Sequence, residues 1–150
     1  MPDHANMPHT DKRLALLLAL LVAVMPLSID AYLPAIPAMA AGLDADIHRV
    51  EQSLSVFLFG VALGQLFGGS WSDIKGRRPM ALMGLTVYLL ATVALIMVQN
   101  VNQLLWLGLL QAFGGGMATV VVAAVVRDQY EGKQAAQMFA LIGIIMMAAP

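Results

Sequence analysis

Asp30 stands inside the apolar stretch "MPLSIDAYLPAIPAM", residues 25–39. A carboxyl group at membrane depth is costly, and such groups mark proton or substrate pathways. Asp30 is therefore the first candidate for carrying a proton or meeting a cationic substrate. Gln65 and Gln111, polar but uncharged within other apolar runs, are candidates for lining the same pathway or for bonding across helices. A second concentration of chemistry is "GGSWSDIKGRRPMAL", residues 68–82, where Asp73, Lys75, Arg77 and Arg78 fall close together in a chain that is only 11% charged. Asp73 precedes Arg77 by four positions, so the two can pair across the flexible Gly76. Asp73, Arg77 and Arg78, with Arg127 and Asp128 near the end of a later apolar run, form a candidate charge cluster latching the second and fourth runs.

Composition narrows what this chemistry can serve. Hydrophobic residues make up 60% of the 150, against roughly 45 to 50% in soluble domains, and mean hydropathy is +0.80. A formal net charge of −1 supplies no basic surplus for phosphates, which argues against a nucleic-acid partner. There is no Cys, and His4, His9 and His48 have no partner at ligand spacing, so no metal site is expected. No nucleophile and base pair, phosphate-binding loop or cofactor motif is present, so neither enzymatic catalysis nor a cofactor is expected.

The residues above must be positioned by elements that cross a membrane. About 20 helical residues span roughly 30 Å of hydrocarbon. Runs of that length extend from Leu14 to about Leu33, from about Ser53 to Trp71, from Met80 to Val98 and from Gln103 to Val126. A fifth begins near Ala136 and is still apolar at Pro150. The expected fold is an all-α membrane protein, a multi-span helix bundle over residues 14–150 preceded by a tail at 1–13, with four complete helices and the start of a fifth. A soluble bundle would need a polar face on each helix, which these runs lack. A cleaved signal over "KRLALLLALLVAV" would need a shorter apolar run and a small-residue cleavage site. Asp30 lies 16 residues beyond Leu14, about 24 Å along a helix, toward the far third of the bilayer unless Pro26, Pro34 and Pro37 close the span early.

Lys12 and Arg13, then Lys75, Arg77 and Arg78, then Arg127 and Lys133 fall on one side of these spans, and only Arg49 on the other. The positive-inside rule makes that side cytoplasmic, with the N-terminus inside, as in a multi-pass protein of the bacterial inner membrane. Within the spans, Gly60, Gly64 and Gly68 recur every four residues and form a small-residue stripe for close helix packing. Gly114, Gly115 and Gly116 weaken the fourth run by roughly 1 kcal/mol each relative to Ala, which implies a bend or a close contact there.

Gly69, Asp73, Gly76, Arg77 and Arg78, in "GSWSDIKGRR", resemble the loop signature between helices two and three of the major facilitator superfamily. Ile74 and Trp71 depart from its usual basic residue and Leu. "MPLSIDAYLPAIPAM" and "LLQAFGGGMATVVVAAVVRD" are similar to the first and fourth helices of that superfamily's Bcr/CflA group of bicyclomycin and chloramphenicol exporters. "GIIMMAAP" resembles the approach to the helix-five exporter signature. Gly108 stands where the family usually carries an Arg implicated in proton coupling.

The resemblance implies an N-terminal portion of a proton-coupled exporter of drug-like or small organic molecules, inactive alone. Its partners would be the lipid bilayer, substrate, protons and a C-terminal helix bundle, against which the glycine stripe of the second span would pack and Asp73 would face a helix N-terminus. The alternative is a small non-transporting membrane scaffold or partner subunit that keeps the helix signatures.

Overall fold

The computed structural model describes residues 9–148, all arranged around five helices: α1 (His9–Gly42), α2 (Ile47–Lys75), α3 (Arg77–Leu95), α4 (Val101–Gln129) and α5 (Gly132–Ala148). Residues 1–8 of the expected tail, and 149 and 150 of the fifth run, lie outside the described residues. Hydrocarbon offers no partner for backbone N–H and C=O groups, and the helix satisfies them within each segment. Four of the helices, α1 to α4, are long and apolar enough to cross a membrane.

Their ends depart from the apolar runs for local reasons. α1 continues without interruption through Pro26, Pro34 and Pro37 as far as Gly42, well past Leu33. Proline is tolerated in membrane helices because neighbouring groups re-satisfy the backbone it frees. α2 begins six residues before Ser53: the Asp46 side chain accepts from the His48 N–H at 2.7 Å, and His48 pairs with Glu51 at 3.1 Å, so polar "IHRVEQ" is helical. α3 stops at Leu95 because the N–H groups of Ile96, Met97 and Val98 bond three residues back, tightening the last turn. α4 is capped by Asn100, whose side chain accepts from the Gln103 N–H at 2.9 Å while the Gln103 side chain accepts from the Gln99 N–H. Gly76, at φ 93°, is the single residue joining α2 to α3, a conformation that side chains with a Cβ rarely adopt.

Short connections make successive helices antiparallel. At the end where Gly76 joins α2 and α3 into a helical hairpin, the hairpin end, Ala15, Leu18 and Ala19 of α1 pack with Val122 and Val126 of α4 and Met138 and Ile142 of α5. At the opposite end, Ile36 and Ala40 of α1 pack with Val50 of α2 and Val101 and Leu104 of α4. Outward faces carry Leu66, Leu90 and Trp106, each at least 66% exposed, which a water-soluble bundle would have to bury.

α4 is the axis of the bundle, and its glycines explain why. Successive helical residues turn by about 100°, so three consecutive glycines fan over more than half the circumference. A Cβ at Gly114 would meet the Tyr88 N and Gly84 O of α3 at 2.6 and 2.7 Å; one at Gly115 would strike the Met25 sulfur of α1; one at Gly116 would strike the Val61 carbonyl of α2. Three helices therefore converge on α4 at one level. The triplet makes close contacts while α4 stays helical throughout.

The glycine stripe of α2 has its partner inside this chain, which corrects the expectation that it packs against a C-terminal bundle. Gly60, Gly64 and Gly68 are buried and abut Leu109 and Ala112, Phe113, and Met117 and Val120 of α4 respectively. The spacing identifies a close-packed face and says nothing about which helix covers it; Gly108 to Val121 of α4 is rich in small residues and can approach. Gly69 sits at the margin of this face, 3.8 Å from Val120 by the position of an added Cβ. Gly84 of α3 is a further contact point of the same kind, against Gly114 and Ala118.

Candidate functional site

Where α1, α2, α3 and α4 diverge toward the end opposite the hairpin, they enclose a cavity of about 340 Å³. Tyr32, Ser28 and Met39 of α1, Ser53 and Phe57 of α2, Tyr88 of α3 and Gly108 and Gln111 of α4 are among the residues that line it. The wall is mainly apolar and contains no ionisable acid or base apart from the two phenols.

Its polar groups are tied in pairs, one pair for each of three helix contacts. The Ser28 Oγ lies 2.6 Å from the Tyr88 Oη, joining α1 to α3. The Tyr32 and Ser53 hydroxyls bond across α1 and α2. The Gln111 Nε2 donates to the Thr92 Oγ1 at 2.8 Å, joining α4 to α3. In an apolar setting each bond spares its groups the cost of an unpaired polar atom. Sequence reasoning found Gln111 and missed Ser28, Tyr32, Ser53, Tyr88 and Thr92. A signal was present: Ser28 and Tyr32, and Tyr88 and Thr92, are polar pairs four residues apart in apolar helices, a spacing that puts both members on one face.

Asp30 lies at the level of this cavity, between Ile29 and Ala31, which line it, yet its own side chain is exposed on the outer face of α1. Among the described residues it has no hydrogen bond or ion pair. Pro34, four residues on, has no N–H to offer the Asp30 carbonyl. Gln65 is also exposed, on α2 beside Gly116, and does not line the cavity. Of the three pathway candidates, then, only Gln111 faces the cavity. Gly108 lines it too, and nothing lies within 4 Å of a Cβ built there, so the wall is open at that point.

The charges at the other end are brought together around one guanidinium. Arg77 donates from Nε to the Asp128 Oδ2 at 2.8 Å, from Nη1 to the Ser72 Oγ at 2.6 Å and from the same nitrogen to Asp73. Because Arg77 opens α3, the tie joins α2, α3 and α4, three helices rather than the two expected. The Arg77 side chain is 26% exposed and the Asp73 and Asp128 carboxylates 65% and 51%, so water screens the pairs. Such exposed pairs contribute only about 0 to 1 kcal/mol each. Arg78 and Arg127 are exposed and form no ion pair among the described residues, although Arg127 neighbours Asp128. Lys75 rests over the Trp71 ring, 5.1 Å from its centroid.

The family model described as Major Facilitator Superfamily matches residues 18–150. The chain is 35% identical over 137 residues to an uncharacterized MFS-type transporter, YdgK, of Bacillus subtilis (strain 168), covering 91% of this chain and 34% of that protein. It is 33% identical over 135 residues to a bicyclomycin resistance protein homolog of Haemophilus influenzae, covering 90% of this chain and 34% of that one. To multidrug resistance protein D of Escherichia coli (strain K12) it is 32% identical over 137 residues, 91% of this chain and 35% of that one. The chain thus spans about a third of the length of these curated relatives. No solved structure matches it.

Proposed function

The chain belongs to the major facilitator superfamily, and on that premise we propose that it forms the N-terminal helices of a proton-coupled secondary transporter that exports drug-like or other small organic molecules. The observation that carries this reading is Asp30: a carboxyl group at cavity level, exposed on a helix that crosses the membrane, with no partner among the described residues. Lipid is a poor environment for that face, so it belongs against water or against further helices of the same transporter. Transporters of this kind work between two bundles, and a chain with a third of the relatives' length supplies only part of one. Alone it therefore inserts without transporting. A non-transporting scaffold would keep the glycine contacts of α2 and α4 but has no use for an unpaired acid at that depth.

By the positive-inside rule the hairpin end faces the cytoplasm, with the N-terminus on the same side and the protein in the bacterial inner membrane. There the Arg77 tie acts as a latch between conformations: its exposed pairs are weak enough to break and numerous enough to bias an equilibrium. In the full-length protein, Asp73→Asn removes one of the two carboxylates on Arg77. Cysteines placed along the hairpin end should then become more accessible to aqueous reagents, the balance shifting up to about fivefold for a loss near 1 kcal/mol. Unchanged accessibility with normal export would leave orientation as the only role of these charges.

A further inference from the structure

The hydroxyl protons of the cavity can be counted, and the count describes its occupant. A serine hydroxyl has one proton to give. The Ser28 Oγ gives its proton to the Val24 carbonyl, 2.6 Å away and four residues back on α1, so the bond to the Tyr88 Oη is donated by the phenol. The Ser53 Oγ likewise donates to the Val50 carbonyl, so the Tyr32 phenol must donate to Ser53. Both phenols have spent their protons on the wall, and each turns only lone pairs to the open space. Gln111 commits one amide hydrogen to Thr92, whose own hydroxyl donates to the Tyr88 carbonyl at 2.7 Å; the amide oxygen and the second hydrogen are unspent. The cavity therefore offers at least three acceptors, the Tyr32, Tyr88 and Gln111 oxygens, against one donor, on an apolar surface without a formal charge.

The geometry points to this cavity as a binding site for an uncharged small molecule with an apolar or aromatic body and at least one hydroxyl or amide N–H to donate, its size limit set by the bare Gly108. An anion would meet acceptor oxygens and no cation. An organic cation could lie against the phenol rings, but with no carboxylate in the wall it loses its hydration for too little in return. The outward-facing Asp30 does not alter this, because it is not part of the lining. If the occupant is the transported molecule, the assignment rests on the transport reading; binding to this chain is measured apart from transport, so either can fail without the other.

The test uses the 150-residue chain in phosphatidylcholine nanodiscs, with empty nanodiscs subtracted, and three probes that share one aromatic body. These are 2-naphthol, 2-methoxynaphthalene, which cannot donate, and a trimethylammonium naphthalene, which is charged. 2-Naphthol should bind about five- to tenfold more tightly than the methoxy compound, as one net hydrogen bond allows, and more tightly than the cation. Tyr88→Phe should bring 2-naphthol closer to the methoxy probe while leaving the methoxy probe itself unchanged. Gly108→Phe should fill the space and abolish binding of both, with helix content by circular dichroism as for the unmodified chain. Equal binding of 2-naphthol and 2-methoxynaphthalene would overturn the donor requirement, tightest binding by the cation would overturn the neutral class, and full binding to Gly108→Phe would place the ligand elsewhere.

Discussion

Asp30→Asn in the full-length protein should reduce pH-driven export of neutral substrates to background while leaving membrane insertion intact. The two side chains have nearly the same shape, so packing is not at issue, and Asp30 makes no hydrogen bond or ion pair among the described residues that the amide could break. What the amide cannot do is take up and release a proton. Gly108 lines the neighbouring cavity and no basic side chain is in that wall, so no fixed positive charge there acts on the carboxyl group. If Asp30 carries the proton as proposed, the loss of pH-driven export should be close to complete. Export is measured as substrate efflux from cells or vesicles between pH 6 and 8. Normal efflux from the mutant over that range would make Asp30 an interfacial residue with no part in coupling.

Gly64→Leu should be the most disruptive single change to the bundle. The Cβ of any substitute at Gly64 would overlap the carbonyl oxygen of Phe113 and stand 2.9 Å from its carbon, and these are backbone atoms of α4 that cannot swing aside. Even Gly64→Ala forces α2 and α4 apart. Overpacking of this kind costs roughly 1 to 3 kcal/mol, and the three further carbons of Leu add to it. Gly143→Ala is the control: nothing lies within 4 Å of a Cβ there, and Ala is favoured in a helix by about 1 kcal/mol. Thermal unfolding in detergent should therefore fall sharply for Gly64→Leu, fall less for Gly64→Ala, and hold or rise for Gly143→Ala. A Gly64→Ala protein as stable as the original would mean that α2 and α4 do not meet at this glycine.

The helices were legible because length and hydropathy suffice for a membrane span, and the family was legible because the hairpin and the first and fourth spans carry dense motifs. Helix ends were harder to read, since Asp46 and Asn100 act through capping bonds that extend helices into polar sequence. Pro26, Pro34 and Pro37 left an early end to α1 open as an alternative, but a proline removes one bond and neighbouring groups can make it good. Pairing between helices was the least accessible. The spacing of Gly60, Gly64 and Gly68 specifies a face, whereas the choice of α4 as its partner depends on backbone positions that no single helix encodes. The cavity was half visible for the same reason: Gln111 stands out in an apolar run, while Ser28 and Tyr88 become a feature only when α1 and α3 are side by side.

The central claim, that these helices belong to a transporter driven by protons, is tested most directly by proton flux in liposomes. The full-length protein carrying this segment would be reconstituted with a pH-sensitive dye inside, alongside the 150-residue chain, and an exported substrate added across a range of concentrations. Saturable, substrate-dependent proton movement from the full-length protein and none from the chain alone is the predicted result. Substrate movement without protons, or saturable flux from the chain by itself, would contradict it.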